Sequence, residues 1–309
     1  MKNSFRKLIP VATVLGFAFA ASSAHAAITP FTLKDGSGNV LSTNTSSLDW
    51  SSTGSGVAIG AGPFSDSALL PKNASFNFLY QSNLANVVGT KNAANFKLDS
   101  TSNGVADAGS AFEFTIVAKL TEYVKSSAYS DPDAGTDPTA NFGLGAGDNK
   151  VAIYYDTARN SNTATGTGFD DGKLIALLTI VPDGTTSNFT AFTGTGTGQG
   201  SARMHATVSS AGDFIDQNYL QGVSQLLFGV NFQGTLNYPS EDSLASAFHV
   251  GGSALFPDYT VNPASDIVFK VDGSNTFQGR AVPEPGTMML LGMGMLGLVG
   301  AKRRRAPKA

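Results

Sequence analysis

Asp131-Pro132-Asp133-Ala134-Gly135-Thr136-Asp137 sets three carboxylates within seven residues of a Gly/Pro loop. Hard oxygen ligands at that density suit Ca²⁺, so Asp131, Asp133 and Asp137 could hold one ion. The run lacks the EF-hand spacing and its closing bidentate Glu, and a solvated acidic loop is the competing reading. Asp170-Asp171-Gly172 is a second acidic pair, for which Asx hydrogen bonds and a left-handed Gly172 predict a turn. Glycoside hydrolysis would need two positioned carboxyl groups. The body offers Glu113, Glu122 and Glu241 as its only Glu residues, with Glu113 expected on the polar face of a strand. Zero Cys excludes disulfides, thiol nucleophiles, Fe–S clusters and thiolate zinc sites. Of three His, His25 falls in the leader, and His205 and His249 form no H-E-x-x-H pair. No G-x-S-x-G elbow occurs, and the Gly194–Gly198 run has no Walker Lys. Trp50 and the Tyr residues could stack on sugars, or simply fill a core. These residues predict a non-enzymatic protein with no cofactor other than Ca²⁺ at the acidic loop.

Charge narrows the partners. The whole chain carries 20 basic and 23 acidic side chains. Eight basic groups and one acid lie in residues 1–26 and from Pro283 onward, so the middle keeps 12 basic against 22 acidic residues, a net −10. A body of that sign with no basic patch is no partner for nucleic acid, which demands a Lys/Arg surface.

The two ends read as addresses. Lys2, Arg6 and Lys7 precede the apolar stretch Leu8–Ala21, and Ala24-His25-Ala26 fits the small-residue cleavage pattern. Residues 1–26 are therefore expected to be a signal peptide, with the mature chain starting at Ala27. At the other end Pro283-Glu284-Pro285 leads into the uncharged stretch 287–301, and Lys302-Arg303-Arg304-Arg305 closes it. Fifteen helical residues span roughly 22 Å at 1.5 Å each, short of a hydrocarbon core of about 30 Å. The basic cluster predicts a cytoplasmic side for Lys302–Arg305 and an external body. A short transmembrane helix at 287–301 and transient anchoring in the inner membrane follow as expectations.

This order of Pro-Glu-Pro motif, short apolar helix and basic cluster resembles the PEP-CTERM sorting signal of Gram-negative bacteria. The resemblance implies handling by exosortase, a membrane processing enzyme that recognises the Pro-Glu-Pro region. By that resemblance Pro283, Glu284 and Pro285 are the sorting motif, and Lys302, Arg303, Arg304 and Arg305 are retention charges. Export to the cell surface or extracellular matrix is the implied destination.

The body between, residues 27–281, is long enough to bury a core without covalent staples. Gly, Ser and Thr make up almost a third of the chain, a composition that separates short strands with turns. In Ala111–Val124, Phe112, Phe114, Ile116, Ala118 and Leu120 recur at period two, the mark of a half-buried antiparallel strand. Phe31–Lys34, Val40–Leu41, Ser75–Tyr80, Val151–Tyr155, Lys173–Val181, Ala202–Val208, Leu226–Phe232 and Ile267–Val271 share β-branched and aromatic character. Asp35–Asn39 predicts a turn, Pro182-Asp183-Gly184 a strand end, and Asp272-Gly273-Ser274-Asn275 a final hairpin. Thr193–Gly198 reads as an exposed loop. Helical pieces are expected only at Ser82–Val88, Asp216–Leu226 and Asp242–Phe248. The expected fold class is all-β: an antiparallel two-sheet β-sandwich, jelly-roll-like.

Segments of the body are also similar to the flocculation-associated PEP-CTERM proteins: Trp50–Gly62, Phe112–Tyr123, Val151–Asp156, Asn162–Gly172 and Gly234–Pro239. That similarity implies a role in exopolysaccharide-linked cell aggregation, with no catalytic residues attached. A Ca²⁺-dependent carbohydrate-binding module and a secreted polysaccharide hydrolase are the alternatives.

Overall fold

The computed structural model describes residues 30–131, 136–223, 229–239 and 245–278. Fifteen strands follow in chain order. β1 is Phe31–Lys34, β2 Val40–Trp50, β3 Gly54–Ile59, β4 Ser75–Lys91 and β5 Glu113–Asp131. β6 is Thr136–Leu144, β7 Lys150–Asp156, β8 Lys173–Phe192, β9 Thr197–Thr207 and β10 Phe214–Ile215. β11 is Leu220–Gln221, β12 Gly229–Tyr238, β13 Ala247–Phe248, β14 Tyr259–Thr260 and β15 Ile267–Gln278. Every ladder between these strands is antiparallel, and no helix occurs among the described residues.

The two layers expected from the sequence are joined in one continuous sheet of 13 strands, beside a small pair of β13 and β14. Its ladders close a circuit β4–β3–β15–β12–β9–β8–β6–β5 that returns to β4. Long strands make the closure. β4, β5 and β8 run 17, 19 and 20 residues, and each changes partner along its length. β5, for example, pairs with β7 over Glu113–Lys119 and with β6 beyond Glu122. A sheet that returns to its first strand has no open edge within the circuit, so the backbone groups along it are paired. The interior is filled by Trp50, Phe114, Ile116, Leu120, Ile153, Leu178, Phe232 and Phe277, all buried.

Several local expectations change. Ser82–Val88 is not helical; it continues β4. Gln81, Ser82 and Asn83 are polar yet fully buried, because a second segment covers the far side of that strand. There Gln81 Nε2 donates to Ala247 O at 3.1 Å, and the His249 amide donates to Gln81 Oε1 at 3.1 Å. Asp216–Leu226 is turn and the short β11 through Val223, and residues 224–228 lie outside the described part. Of Asp242–Phe248, residues 242–244 are outside it and Ala247–Phe248 is strand β13. Asp272–Asn275 makes no hairpin but runs through β15, since β12 pairs with Asp272–Asn275 and β2 with Ser274 and Asn275. Pro182–Gly184 bulges β8 without ending it, as the register against β9 shifts between Val181 and Thr186. Thr185 bridges that bulge, donating to Val181 O at 2.6 Å and accepting from the His205 amide at 3.0 Å.

Candidate recognition face

β5 illustrates how the closed sheet sets side chains. Phe112, Phe114, Ile116, Ala118 and Leu120 point inward as the period predicts, but the opposite row is covered too. Val117 packs with Ala152, Tyr154, Phe169, Leu177 and Phe256 under the segments around 169 and 256. Glu113, expected on a polar face, is fully buried. Its carboxylate accepts from the amides of Asn160 and Ser161 at 2.8 and 3.2 Å and from Ser161 Oγ at 2.5 Å. Burial nevertheless pushes its pKa up to about 7. Asp170 is likewise buried and raised to about 7 by desolvation, with one bond from the Ser253 amide at 3.0 Å. Its partner thus comes from a distant segment instead of a local turn. Gly172 is not left-handed; a Cβ there would meet Tyr155 O at 2.7 Å.

The acidic loop is only partly visible. Asp133 and the side chain of Asp131 lie outside the described part. Asp137, the second residue of β6, has φ of 50° and is held in a reciprocal pair: Thr193 N donates to its Oδ1 and its own amide donates to Thr193 Oγ1, both at 2.8 Å. Among the described residues no three His, Asp or Glu side chains converge as metal ligands. His249 is buried, with Nε2 3.1 Å from Tyr80 O, and desolvation holds its pKa down to about 4. His205 is half-buried on β9. Trp50 is core, its Nε1 donating to Asn275 Oδ1 at 2.7 Å.

What the sequence did not reveal is a polar lattice on the outer face of five strands. The register places Thr186 of β8 opposite Arg203 of β9, Arg203 opposite Gln233 of β12, Gln233 opposite Ser274 of β15, and Ser274 opposite Asp49 of β2. Directly paired residues share a face, so this is one row across the sheet. A second row two residues along holds Asn188, Ser201, Thr235 and Asp272. All of them except Asn188 border an open trough of about 490 Å³. Its floor is the small residues Ala202, Gly234 and Gly273. Strands lie about 4.8 Å apart, so donors and acceptors repeat at that interval across the trough. The side chains of Asp49, Thr186, Arg203, Gln233, Thr235, Asp272 and Ser274 make no side-chain hydrogen bond or ion pair among the described residues, in contrast to the two ion pairs Lys150–Asp213 and Lys173–Asp216 elsewhere. The signal in the sequence was the polar alternate positions Ser201 and Arg203, Gln233 and Thr235, and Asp272 and Ser274, which gain meaning only once the register aligns them.

Comparison with known proteins adds the tail. The family model of the PEP-CTERM protein-sorting motif matches residues 281–305, which contain Pro283, Glu284, Pro285 and Lys302–Arg305. These residues, like Ala24, Ala26 and Ala27 at the expected cleavage site and the stretch 287–301, lie outside the described part. No curated protein and no solved structure matches the chain. The chain thus carries a PEP-CTERM protein-sorting motif at residues 281–305, a motif that implies export, a cell-envelope address and processing by the membrane enzyme exosortase.

Proposed function

We propose that the exported body supports cell aggregation by binding exopolysaccharide across the outer trough of β2, β15, β12, β9 and β8. The observation that carries this reading is the two-row lattice, whose Arg203, Gln233, Thr235, Asp272 and Asp49 side chains have no hydrogen-bond or ion-pair partner among the described residues. Sugar hydroxyls are both donors and acceptors, and a surface that alternates amide, guanidinium, hydroxyl and carboxylate groups at strand spacing can satisfy them. Each contact exchanges water for sugar and is individually weak. Many copies on one cell raise the effective affinity without any new contact. No chemistry is assigned to the trough: its carboxylates, half-buried Asp49 and exposed Asp272, form no ion pair among the described residues.

Deleting the gene should reduce aggregation at unchanged exopolysaccharide yield, and the intact gene should restore it. A gene carrying Arg203→Ala with Gln233→Ala should express a folded, exported protein that fails to restore it. Full restoration by that double variant would remove the trough from the mechanism. Loss of exopolysaccharide itself in the deletion strain would instead point to a role in its synthesis.

A further inference from the structure

Glu122 breaks the apolar row of β5. It lies two residues beyond Leu120, in phase with Phe112, Phe114, Ile116, Ala118 and Leu120, and so faces the interior of the closed sheet. There it lines a cavity of about 230 Å³ whose walls include Phe76, Phe78, Phe142, Phe189 and Phe269. One carboxylate oxygen accepts from Ser187 Oγ at 2.6 Å. The other has no hydrogen-bond partner, and Glu122 forms no ion pair among the described residues. Among the described residues Glu122 is the sole carboxyl group lining the cavity.

The geometry points to a binding site for a compact apolar molecule that carries one hydrogen-bond donor, an amine or a hydroxyl, directed at the free oxygen of Glu122. Three features support it. Size comes first: a cavity of about 150 Å³ holds benzene, so 230 Å³ accommodates an aromatic ring with a short chain. Chemistry is second. A carboxyl group in an aromatic chamber is costly unless paired, and burial pushes this one up to about 7, so a donor in the chamber would relieve the penalty. A mostly apolar chamber with a few polar groups, here Glu122 with Ser187, Asn188, Arg203 and Gln233, is also the usual composition of a small-molecule site. Access is third. The segment between β3 and β4 walls one side of the cavity with Pro63, Phe64, Leu70 and Pro71. It leaves β3 through Gly60 and Gly62, both left-handed at φ of 68° and 84°. Asp66 pins it to the β8–β9 turn, its Oδ2 accepting from Gly194 N at 3.0 Å and Gly196 N at 3.3 Å. Phe64 stacks on Tyr238 at 4.0 Å between ring centroids. A strap held by a few exposed bonds can open without disturbing the ladders.

Trp50, the single Trp, lines the same cavity and reports on its occupancy by fluorescence. Protein purified from cell-surface material is titrated with 2-phenylethylamine, 2-phenylethanol, ethylbenzene and phenylacetate. The amine and the alcohol should give saturable changes with Kd below about 1 mM. Phenylacetate, which brings a second carboxylate, should bind at least tenfold more weakly, and ethylbenzene weaker than the amine. Glu122→Gln should weaken the amine at least tenfold and ethylbenzene less than twofold. Asp66→Ala should speed binding and release together, leaving Kd within twofold. No saturable response, ethylbenzene binding as tightly as the amine, or indifference to Glu122→Gln overturns the inference. The wild-type series alone decides it if the Gln variant fails to fold. None of these outcomes bears on the polysaccharide trough, which is read by aggregation.

Discussion

Three carboxyl groups and one imidazole make the body's stability depend on pH with a definite sign. Glu113, Glu122 and Asp170 are each pushed up to about 7 by desolvation, so the native state favours their protonated forms. Stability from these groups is fully present below the ordinary carboxylate range and is lost as pH rises through about 7. His249 works the other way. Held down to about 4 by burial, it costs stability as pH falls from its ordinary value of 6.5 through 4. Three groups outweigh one across the shared window, so the melting temperature should be higher at pH 5 than at pH 8. A difference of at least about 3 °C is expected, what about 1 kcal/mol produces in a domain of this size. Glu113→Gln should flatten the slope; melts that rise from pH 5 to pH 8 would contradict the assignment. A second residue-scale outcome concerns Asp137 and Thr193, each donating to the other. Asp137→Ala and Thr193→Ala should each cost about 1 kcal/mol. A double-mutant cycle by denaturant unfolding should show coupling between them, and additivity would mean that the pair is idle.

At the scale of elements, strands were legible where apolar alternation or β-branched and aromatic residues survive, and were missed where burial of polar residues or close-packed glycines hides them. Phe31–Lys34 alternates as expected, and Val151–Tyr155 and the inward row of β5 were legible although both their faces are covered. In β4 the buried Gln81-Ser82-Asn83 erases the period, because the segment carrying Ala247 and His249 lies over it and supplies partners. β3 escaped notice for another reason. Its Gly54 and Gly56 look like loop residues, yet each is required by close approach: a Cβ would meet Val271 O at 2.7 Å and the Phe78 ring at 2.5 Å. Glu122 was visible as the one acidic residue in phase with an apolar row, but only the closed sheet shows what it faces. The outer lattice was the least legible, since it depends on the register of five strands. The covering segment can be tested at Gly252, where a Cβ would lie 1.5 Å from Asp170 Oδ1. Gly252→Ala must displace a buried carboxyl that holds Ser253, and should destabilise the body by about 1–3 kcal/mol. Hydrogen exchange should rise first in residues 245–258, where the cover opens, before the barrel ladders respond. Uniform exchange across all strands would show instead that cover and barrel unfold as one unit.

For the whole molecule, the separation between folding and sorting follows from where the ladders close. The circuit of strands is complete within the described residues, from β3 to β15, and uses nothing from the sorting motif at 281–305. Removing the tail therefore costs none of the described hydrogen bonds. The absence of Cys adds that stability outside the cytoplasm does not depend on redox conditions, so reductant should leave the cooperative melt unchanged. The sorting motif is then an address for the membrane enzyme that is separate from the described fold. Surface protein should lack residues 1–26 and peptides containing Arg303–Arg305 by mass spectrometry. Glu284→Ala, inside the Pro-Glu-Pro motif, should shift the protein from surface material to the inner-membrane fraction. That trapped protein should still carry a body that melts at the wild-type temperature, because residue 284 belongs to none of the described strands. Surface protein that keeps its Arg-rich tail, or a Glu284→Ala variant that reaches the surface normally, would break the link between this motif and release. A variant both trapped and destabilised would break the other half of the argument, the independence of the barrel from its tail.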